Sequence, residues 1–339
     1  MKRKFIFHQP YNPNLLKTKF IKVFILVVVL FYALFTIPLR ADESAPSPCD
    51  KSFTVAGAIT HFKMPAALKV DQKAIEAAKS ADVIIYVGGL NAGLEGEESS
   101  LVCPGFNHGD RTRIELPYVQ ERILRTLHNI GKPVIFVNCT GSALAMPWEA
   151  ANLDAILQAW YPGGEGGTAV TDVLFENYNP AGRLPVTFYE KTSDLPDFND
   201  YRMFKGKVLF PFGYGLSYTT FQYQTVRLKS TKFKLNGEIQ LTFPIKNTGS
   251  RNGDEVVQIY VRHMNSPVPQ PIRSLVAFKR IHVDKGATVM AKFKIPVERF
   301  RYWGVEKKEY VVDYGKYEIQ IGASSNDIRQ FYQVSVVKL

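Results

Sequence analysis

The sequence predicts a layered α/β sandwich on a mostly parallel sheet, followed by an immunoglobulin-like β-sandwich. Two observations carry this. Between about residues 71 and 215, short continuous apolar runs alternate with segments of helical periodicity, as in buried parallel strands connected by helices. After Tyr218 the helical segments stop, and β-branched and aromatic runs follow one another between Gly-, Pro- and Asn-bearing turns. At 339 residues, with 46% hydrophobic and 22% charged residues, the chain has the balance of a globular protein and room for two ordinary domains. It shows no internal repeat, which excludes a solenoid.

The first element is a leader. Residues 1–41 contain Lys2, Arg3, Lys4, Lys17, Lys19, Lys22 and Arg40 and no acidic residue. Fifteen uncharged residues follow Lys22, from Val23 to Ile37. That length matches the apolar region of a secretion signal and falls short of the roughly 20 residues a spanning helix needs. Leu39-Arg40-Ala41 before Asp42 is a tolerable cleavage site. The expectation is export to the periplasm or the extracellular space, with residues 1–41 as a signal peptide, or as an N-terminal anchor if it is not cleaved. The formal charge of +11 falls to +4 once the seven leader cations are removed, so the basic excess is not on the folded part. No nucleic-acid partner is expected.

Residues 42–70 read as a linker, Pro/Ser-rich at its start. Asp71 is a helix cap before Ala74, Ile75 and Ala78, and Val83–Val87 is the first buried strand, ending at Gly88-Gly89. Pro117 is placed as the first residue of a second helix carrying Val119, Ile123, Leu124 and Leu127, closed by Gly131. Val134–Val137 and 154–160 are the next strands, and a third helix runs through Thr168–Phe175 after the turn Pro162–Gly167. In the second domain the strands are Val256–Val261, Leu275–Phe278, Thr288–Ile295 and Tyr317–Ile321.

Chemistry in an open α/β sheet belongs beyond the carboxyl ends of the strands. The segment after the first strand is long, glycine-bearing and carries Glu95, Glu97 and Glu98 within four residues. Clustered carboxylates raise one another's pKa, which suits a general acid; a solvated acidic loop has the same composition. A glycosidase needs a second carboxylate across the scissile bond. The glycine turn Gly164–Ala169 fits G-x-G-x-x-A, a dinucleotide pattern, but Glu165 places negative charge where a pyrophosphate would lie. A turn that lets strand and helix approach closely has the same sequence. Cys49, Cys103 and Cys139 show no metal-ligand spacing; a Cys49–Cys103 bridge has no support, and Cys139 reads as a buried hydrophobe. The histidines are scattered, and no serine occupies a G-x-S-x-G elbow. His128 suits a helix C-terminus, and Trp148 and Trp160 suit either core or a sugar site. No metal and no cofactor are expected.

Several blocks together resemble the family 3 glycoside hydrolases, the β-glucosidase and β-xylosidase group, over about residues 71–339. They are Ala81-Asp82-Val83 into Val87-Gly88-Gly89; Glu95-Gly96-Glu97; Gly109-Asp110-Arg111 through Leu116-Pro117 to Gln120; and Ala155–Gly163. The blocks most specific to the family are 179–188 (NPAGRLPVTF) and 210–218 (FPFGYGLSY). Asp254–Val261 and Gly322–Ser325 are similar to its fibronectin type III-like domain.

The resemblance implies a C-terminal α/β domain over 71–218 and a fibronectin type III-like domain over 219–339. It also implies an N-terminal (β/α)₈ barrel bearing the nucleophilic aspartate, for which these residues have no counterpart. Glu97, with Glu95 next and Glu98 third, matches the acid/base position, and Asp110 and Arg111 match a substrate-binding pair. Twelve residues, 98–109, separate Glu97 from Asp110, where many relatives keep the two close. The expected ligand is an oligosaccharide or β-glycoside. The expected function is that of a family 3-type hydrolase of O-glycosyl bonds, inactive without a barrel, which a separately encoded chain can supply. A non-catalytic secreted carbohydrate-binding or scaffold protein is the alternative reading, and a nucleotide-dependent enzyme built on Gly164–Ala169 the third.

Overall fold

The computed structural model describes residues 72–96, 98, 102–197 and 203–338, together with strands at 23–27, 53–55 and 58–60. Two compact units emerge. One holds the described residues up to Asn177 together with Tyr189–Ser193; the other holds Tyr178–Phe188 and the described residues from Asp194 onward. The stretch 178–188 therefore leaves the α/β unit at Tyr178, and Tyr189–Ser193 returns to it.

The first unit is built on a four-stranded parallel sheet. In chain order its elements are β1 (Val23–Val27), the pair β2 (Phe53–Val55) and β3 (Ala58–Thr60), α1 (Gln72–Ser80) and β4 (Val83–Gly89). A small meander follows, of β5 (Val102–Cys103), β6 (Phe106–Asn107) and β7 (Asp110–Arg111). Then come α2 (Tyr118–His128), β8 (Val134–Cys139), α3 (Pro147–Asn152), β9 (Ala155–Gln158) and α4 (Gly166–Leu174). The sheet order is β1-β4-β8-β9, all parallel, with Ile84 opposite Val134 and Ile135 opposite Ala155. Strands buried on both faces must be apolar throughout. Accordingly Val83, Ile85, Ile135 and Val137 form one face, with Val170 and Leu174 of α4 packed against it. Ile84, Tyr86 and Phe136, on the alternate positions, are buried too, and α2 packs on β4 with Ile123, Leu124 and Leu127 inward.

Three sequence expectations meet described structure here. Val23–Val27, read as the start of a secretion signal's apolar region, pairs parallel with β4, Val23 opposite Val83. An uncharged apolar run satisfies both patterns, because a strand of a parallel sheet is as apolar as a signal. In the stretch read as a linker, β2 and β3 pair antiparallel. Pro117 stands one position earlier than expected: it is the N-cap of α2 with an extended ψ of 130°, and the helix begins at Tyr118. Asp71, Cys49 and the rest of the leader lie outside the described residues, as does the side chain of Cys103. The helix closes at Asn129, and Gly131 takes the left-handed conformation two residues on, φ 80°. Cys139 is a free, half-buried thiol whose pKa burial pushes up.

The second unit is a β-sandwich. One sheet joins β10 (Phe221–Tyr223), β11 (Arg227–Leu228) and β16 (Thr288–Pro296) around the long β13 (Glu238–Asn247). The other runs β12 (Lys232–Phe233), β20 (Ile328–Val336), β19 (Gly315–Gly322), β14 (Gly253–His263), β15 (Ser274–Val283). The short pair β17 (Tyr302–Gly304) and β18 (Glu309–Val311) completes it. Period-two alternation sends Ile239, Leu241, Phe243 and Ile245 of β13 inward to meet Val257, Ile259, Ile319 and Ile321.

The two family-specific blocks form a strap over this sandwich. Leu184 N–H donates to the Tyr214 carbonyl at 2.8 Å, Gly213 N–H to the Leu184 carbonyl at 2.8 Å, and Phe188 and Phe210 pair as an antiparallel bridge. Asn179 Oδ1 accepts from the Ser217 hydroxyl and the Tyr218 N–H, while its amide donates to the Asn252 carbonyl. Gln258 of β14 donates to the carbonyls of Gly213 and Ala323. Beneath lies a buried ion pair, Arg183 to Glu255 at 3.2 Å, with the Tyr223 hydroxyl on the other Glu255 oxygen at 2.7 Å.

Candidate active site

Three loops leave the carboxyl ends of β4, β8 and β9, and the chain cross-links them. The first begins at Gly89, whose φ of 124° turns the backbone out of the strand; a Cβ there would run into the Cys139 carbonyl. Gln120 of α2 holds this corner. Its amide donates to the Gly89 carbonyl and its oxygen accepts the Gly89 N–H at 2.8 Å. The loop then passes through the meander and returns along Ile114–Leu116, which bonds to Ala145 of the second loop in both directions at 2.7 and 3.1 Å. Glu115 is fixed from a third side: the Thr192 N–H and hydroxyl donate to its two oxygens at 2.9 and 2.6 Å. Burial opposes ionisation of Glu115, but the bonds from Thr192 and the nearby Arg113 overcome it and hold the carboxyl down at about 2.

Glu95 is where the three loops meet. One oxygen accepts the Gly141 N–H at 2.9 Å and the Tyr161 hydroxyl, and the other accepts the Ser142 hydroxyl. Gly141 comes from the loop after β8 and Tyr161 from the loop after β9. A Cβ at position 141 would sit 2.7 Å from the Tyr161 ring, so any larger residue there must displace that ring. Burial and the bond to Glu95 raise the Tyr161 phenol, which keeps it a proton donor. Arg111 approaches from the meander and donates to the Ser142 hydroxyl at 2.9 Å and the Ala143 carbonyl at 3.0 Å. Burial pulls its guanidinium below the usual range, against the opposing pull of Glu95 and Glu115. Its Nε, also buried, has no hydrogen-bond partner among the described residues.

Of the expected site residues, the structure thus joins Glu95 and Arg111 through Ser142. Asp110 stands apart, exposed on β7 opposite Asn107. Glu97 lies outside the described residues; Glu98 is exposed, on a left-handed backbone position of φ 52°. The residues 98–109 that separate Glu97 from Asp110 include β5 and β6, the outgoing strands of the meander that brings Arg111 back. Sequence reasoning missed Gly141, Ser142 and Tyr161 as partners of Glu95. Tyr161 did stand in the quoted block 155–163; the signal for Ser142 was its place just past the end of a buried strand. Trp148 takes Arg125 over its ring at 4.3 Å and His128 edge-on at 5.6 Å, a cluster on α2 and α3. At the glycine turn, Gly163 is left-handed and Gly166 opens α4. Among the described residues no group of three or more His, Cys, Asp or Glu is arranged to hold a metal ion.

The described residues thus carry a parallel α/β sheet with a clamped carboxylate at its carboxyl edge and, later in the chain, an immunoglobulin-like sandwich. The model of the glycosyl hydrolase family 3 C-terminal domain matches residues 32–218, and that of the fibronectin type III-like domain residues 255–325. The chain belongs to glycosyl hydrolase family 3. It is 44% identical over 279 residues to a xylan 1,4-beta-xylosidase of Xylanibacter ruminicola, covering 80% of this chain and 32% of that protein. It is 34% identical to a periplasmic beta-glucosidase of Salmonella typhimurium, with 76% and 35% covered. The crystal structure of a beta-glucosidase from Kluyveromyces marxianus in complex with glucose superimposes with a TM-score of 0.70 at 30% identity, covering 81% of this chain and 34% of that one. The chain thus spans about a third of the length of the curated relatives it matches. Among the described residues, no helix is long and apolar enough to cross a membrane.

Proposed function

We propose that these residues form the acid/base-bearing part of a retaining β-glycoside hydrolase acting on β-glucosides or β-xylosides. The observation that supports this most directly is the convergence of three strand-end loops on one carboxylate, Glu95, by way of Gly141, Ser142 and Tyr161. In this reading Glu97 is the proton donor to the leaving group and Glu95, whose two oxygens are both engaged within the domain, positions the loop that carries it. Asp110 is free to meet sugar hydroxyls. Arg111 serves the sugar site by holding Ser142. The nucleophile comes from a (β/α)₈ barrel, carried on this polypeptide or on a separately encoded one, because retention needs two carboxyls roughly 5–5.5 Å apart. Export is part of the reading, supported by the composition of residues 1–41 and by the likeness to a periplasmic relative.

The test is hydrolysis of aryl β-glucosides and β-xylosides by residues 1–339 alone and after addition of a family 3 barrel. No turnover alone, and turnover with the barrel that Glu97→Gln removes, is the expected result. Turnover by these residues alone would overturn the assignment of the nucleophile. Sugar binding with no turnover under either condition would favour the non-catalytic carbohydrate-binding reading. Export is checked by sequencing the N-terminus of the mature protein: a start at Asp42 is expected, and a mature chain that keeps Val23–Val27 would mean that β1 is a structural strand rather than part of a signal.

A further inference from the structure

On the sandwich, β10 and the edge of β20 that β12 does not cover border an open groove of about 770 Å³. Its floor is fixed. The Tyr332 hydroxyl donates to Gln330 Oε1 at 2.7 Å and accepts the Val226 N–H at 3.2 Å, while the Gln330 amide donates to the Gln224 carbonyl at 2.8 Å. Arg329 lies over the Tyr223 ring at 4.4 Å, held by the Phe221 carbonyl at 3.0 Å and by Asp327 at 2.9 Å. Phe331, at the outer face of β20, also borders the groove and is 56% exposed; Gln222, Gln224 and Thr225 are exposed along it.

We infer that this groove is a second, non-catalytic sugar site that takes a neutral oligosaccharide; the inference rests on the β-glycoside reading for its ligand class. Three features select such a ligand. Arg329 is the one charged residue of the lining, and it is already matched by Asp327, with Glu255 at 3.9 Å, so an anion gains little. The Gln224 carbonyl and the Val226 N–H are taken by Gln330 and Tyr332, so an added peptide strand meets occupied main-chain groups along that wall. What remains is an exposed aromatic ring bordered by amides and a hydroxyl. A sugar stacks its C–H face on such a ring and exchanges hydrogen bonds with such groups. The volume lies within the roughly 300–1,000 Å³ of small-molecule sites, and the rigid floor lowers the ordering cost of binding.

The experiment is calorimetric titration of the full chain with xylohexaose and cellohexaose, on the wild type and on Phe331→Ala, Phe331→Tyr and Gln222→Ala. Binding by the wild type, weakened about ten-fold by Phe331→Ala and kept by Phe331→Tyr, is the expected result; a loss of ten-fold is about one stacking contact. The unfolding midpoint of Phe331→Ala stays near the wild-type value because the ring is half in solvent. No binding of either hexasaccharide, or equal binding by Phe331→Ala, overturns the proposal. The two readings fail separately. Barrel-restored hydrolysis without oligosaccharide binding removes the groove and leaves the hydrolase. Phe331-dependent binding without hydrolysis does the reverse.

Discussion

The loop after β4 and the strap over the sandwich are both long, irregular and rich in glycine or proline, yet they are held in opposite ways. The strap is anchored by buried groups: Arg183 and Glu255 are 9% and 3% exposed, and Asn179 uses both ends of its amide. The loop is anchored by half-exposed groups that converge on one carboxylate, with Tyr161 still 48% exposed. A buried ion pair tolerates no loss of a partner, whereas a solvated cluster can rearrange around water. The strap therefore reads as architecture and the loop as a site. The lesson is that blocks 179–188 and 210–218 are held by buried polar pairs and packing, whereas the loop is held by a solvated cluster.

Four measurements test this contrast. The largest expected effect is on the loop's chemistry. Glu97→Gln, in the presence of a barrel, lowers kcat/KM on substrates with poor leaving groups by about 10²–10⁴-fold, the range for a lost general acid. Its unfolding midpoint stays unchanged; an equal loss of stability would make Glu97 structural. Next, Arg183→Met leaves Glu255 with only Tyr223 and the more distant Arg329, and is expected to destabilise the sandwich unit by about 3 kcal/mol in urea titration. A change below about 1 kcal/mol would show that the strap is not held by this pair.

The third concerns pH. Glu149 of α3 is 2% exposed, its Oε1 has no hydrogen-bond partner among the described residues, and burial pushes its carboxyl up to about 7. In the unfolded chain it ionises near 4.5. Between those values the unfolded state releases a proton that the folded state keeps. Stability therefore falls as pH rises from about 4.5 to about 7 and then levels, by on the order of 3 kcal/mol. Glu149→Gln is expected to flatten that slope and to gain stability at pH 8; a variant with the wild-type slope would place the titration elsewhere. The smallest effect belongs to Tyr161→Phe. It removes one half-exposed donor to Glu95, so less than about 1 kcal/mol of stability is expected to go. A fall in barrel-restored turnover larger than that loss would mark Tyr161 as a positioning residue.

Much of the fold was legible. Continuous apolar runs such as Val83–Val87 and Val134–Val137 mark parallel strands because both faces are covered, and the alternation in Thr288–Ile295 marks a half-buried one. The long β13 and β20 escaped. In β13 the inward Ile239, Leu241, Phe243 and Ile245 alternate correctly, but Pro244 and flanking Lys and Asn residues disguise the strand; in β20 four of the nine residues, Arg329, Gln330, Gln333 and Ser335, are polar or charged. The site was half legible. Glu95 and Arg111 were named from the resemblance, but Ser142, which links them, lies 31 residues from Arg111 and 47 from Glu95.

By itself the sequence determined the two-part architecture, because hydrophobic periodicity records which faces must leave water, and it placed an acidic loop at the carboxyl edge of the sheet. Only the tertiary structure decided which carboxylate that edge grips, that Arg111 reaches it through Ser142, and that the strap belongs with the sandwich. Those outcomes depend on three-dimensional meetings among Gly141, Ser142 and Tyr161, and between Arg183 and Glu255, residues that no local period connects. Pattern fixes burial; closure of loops across a sheet decides contact.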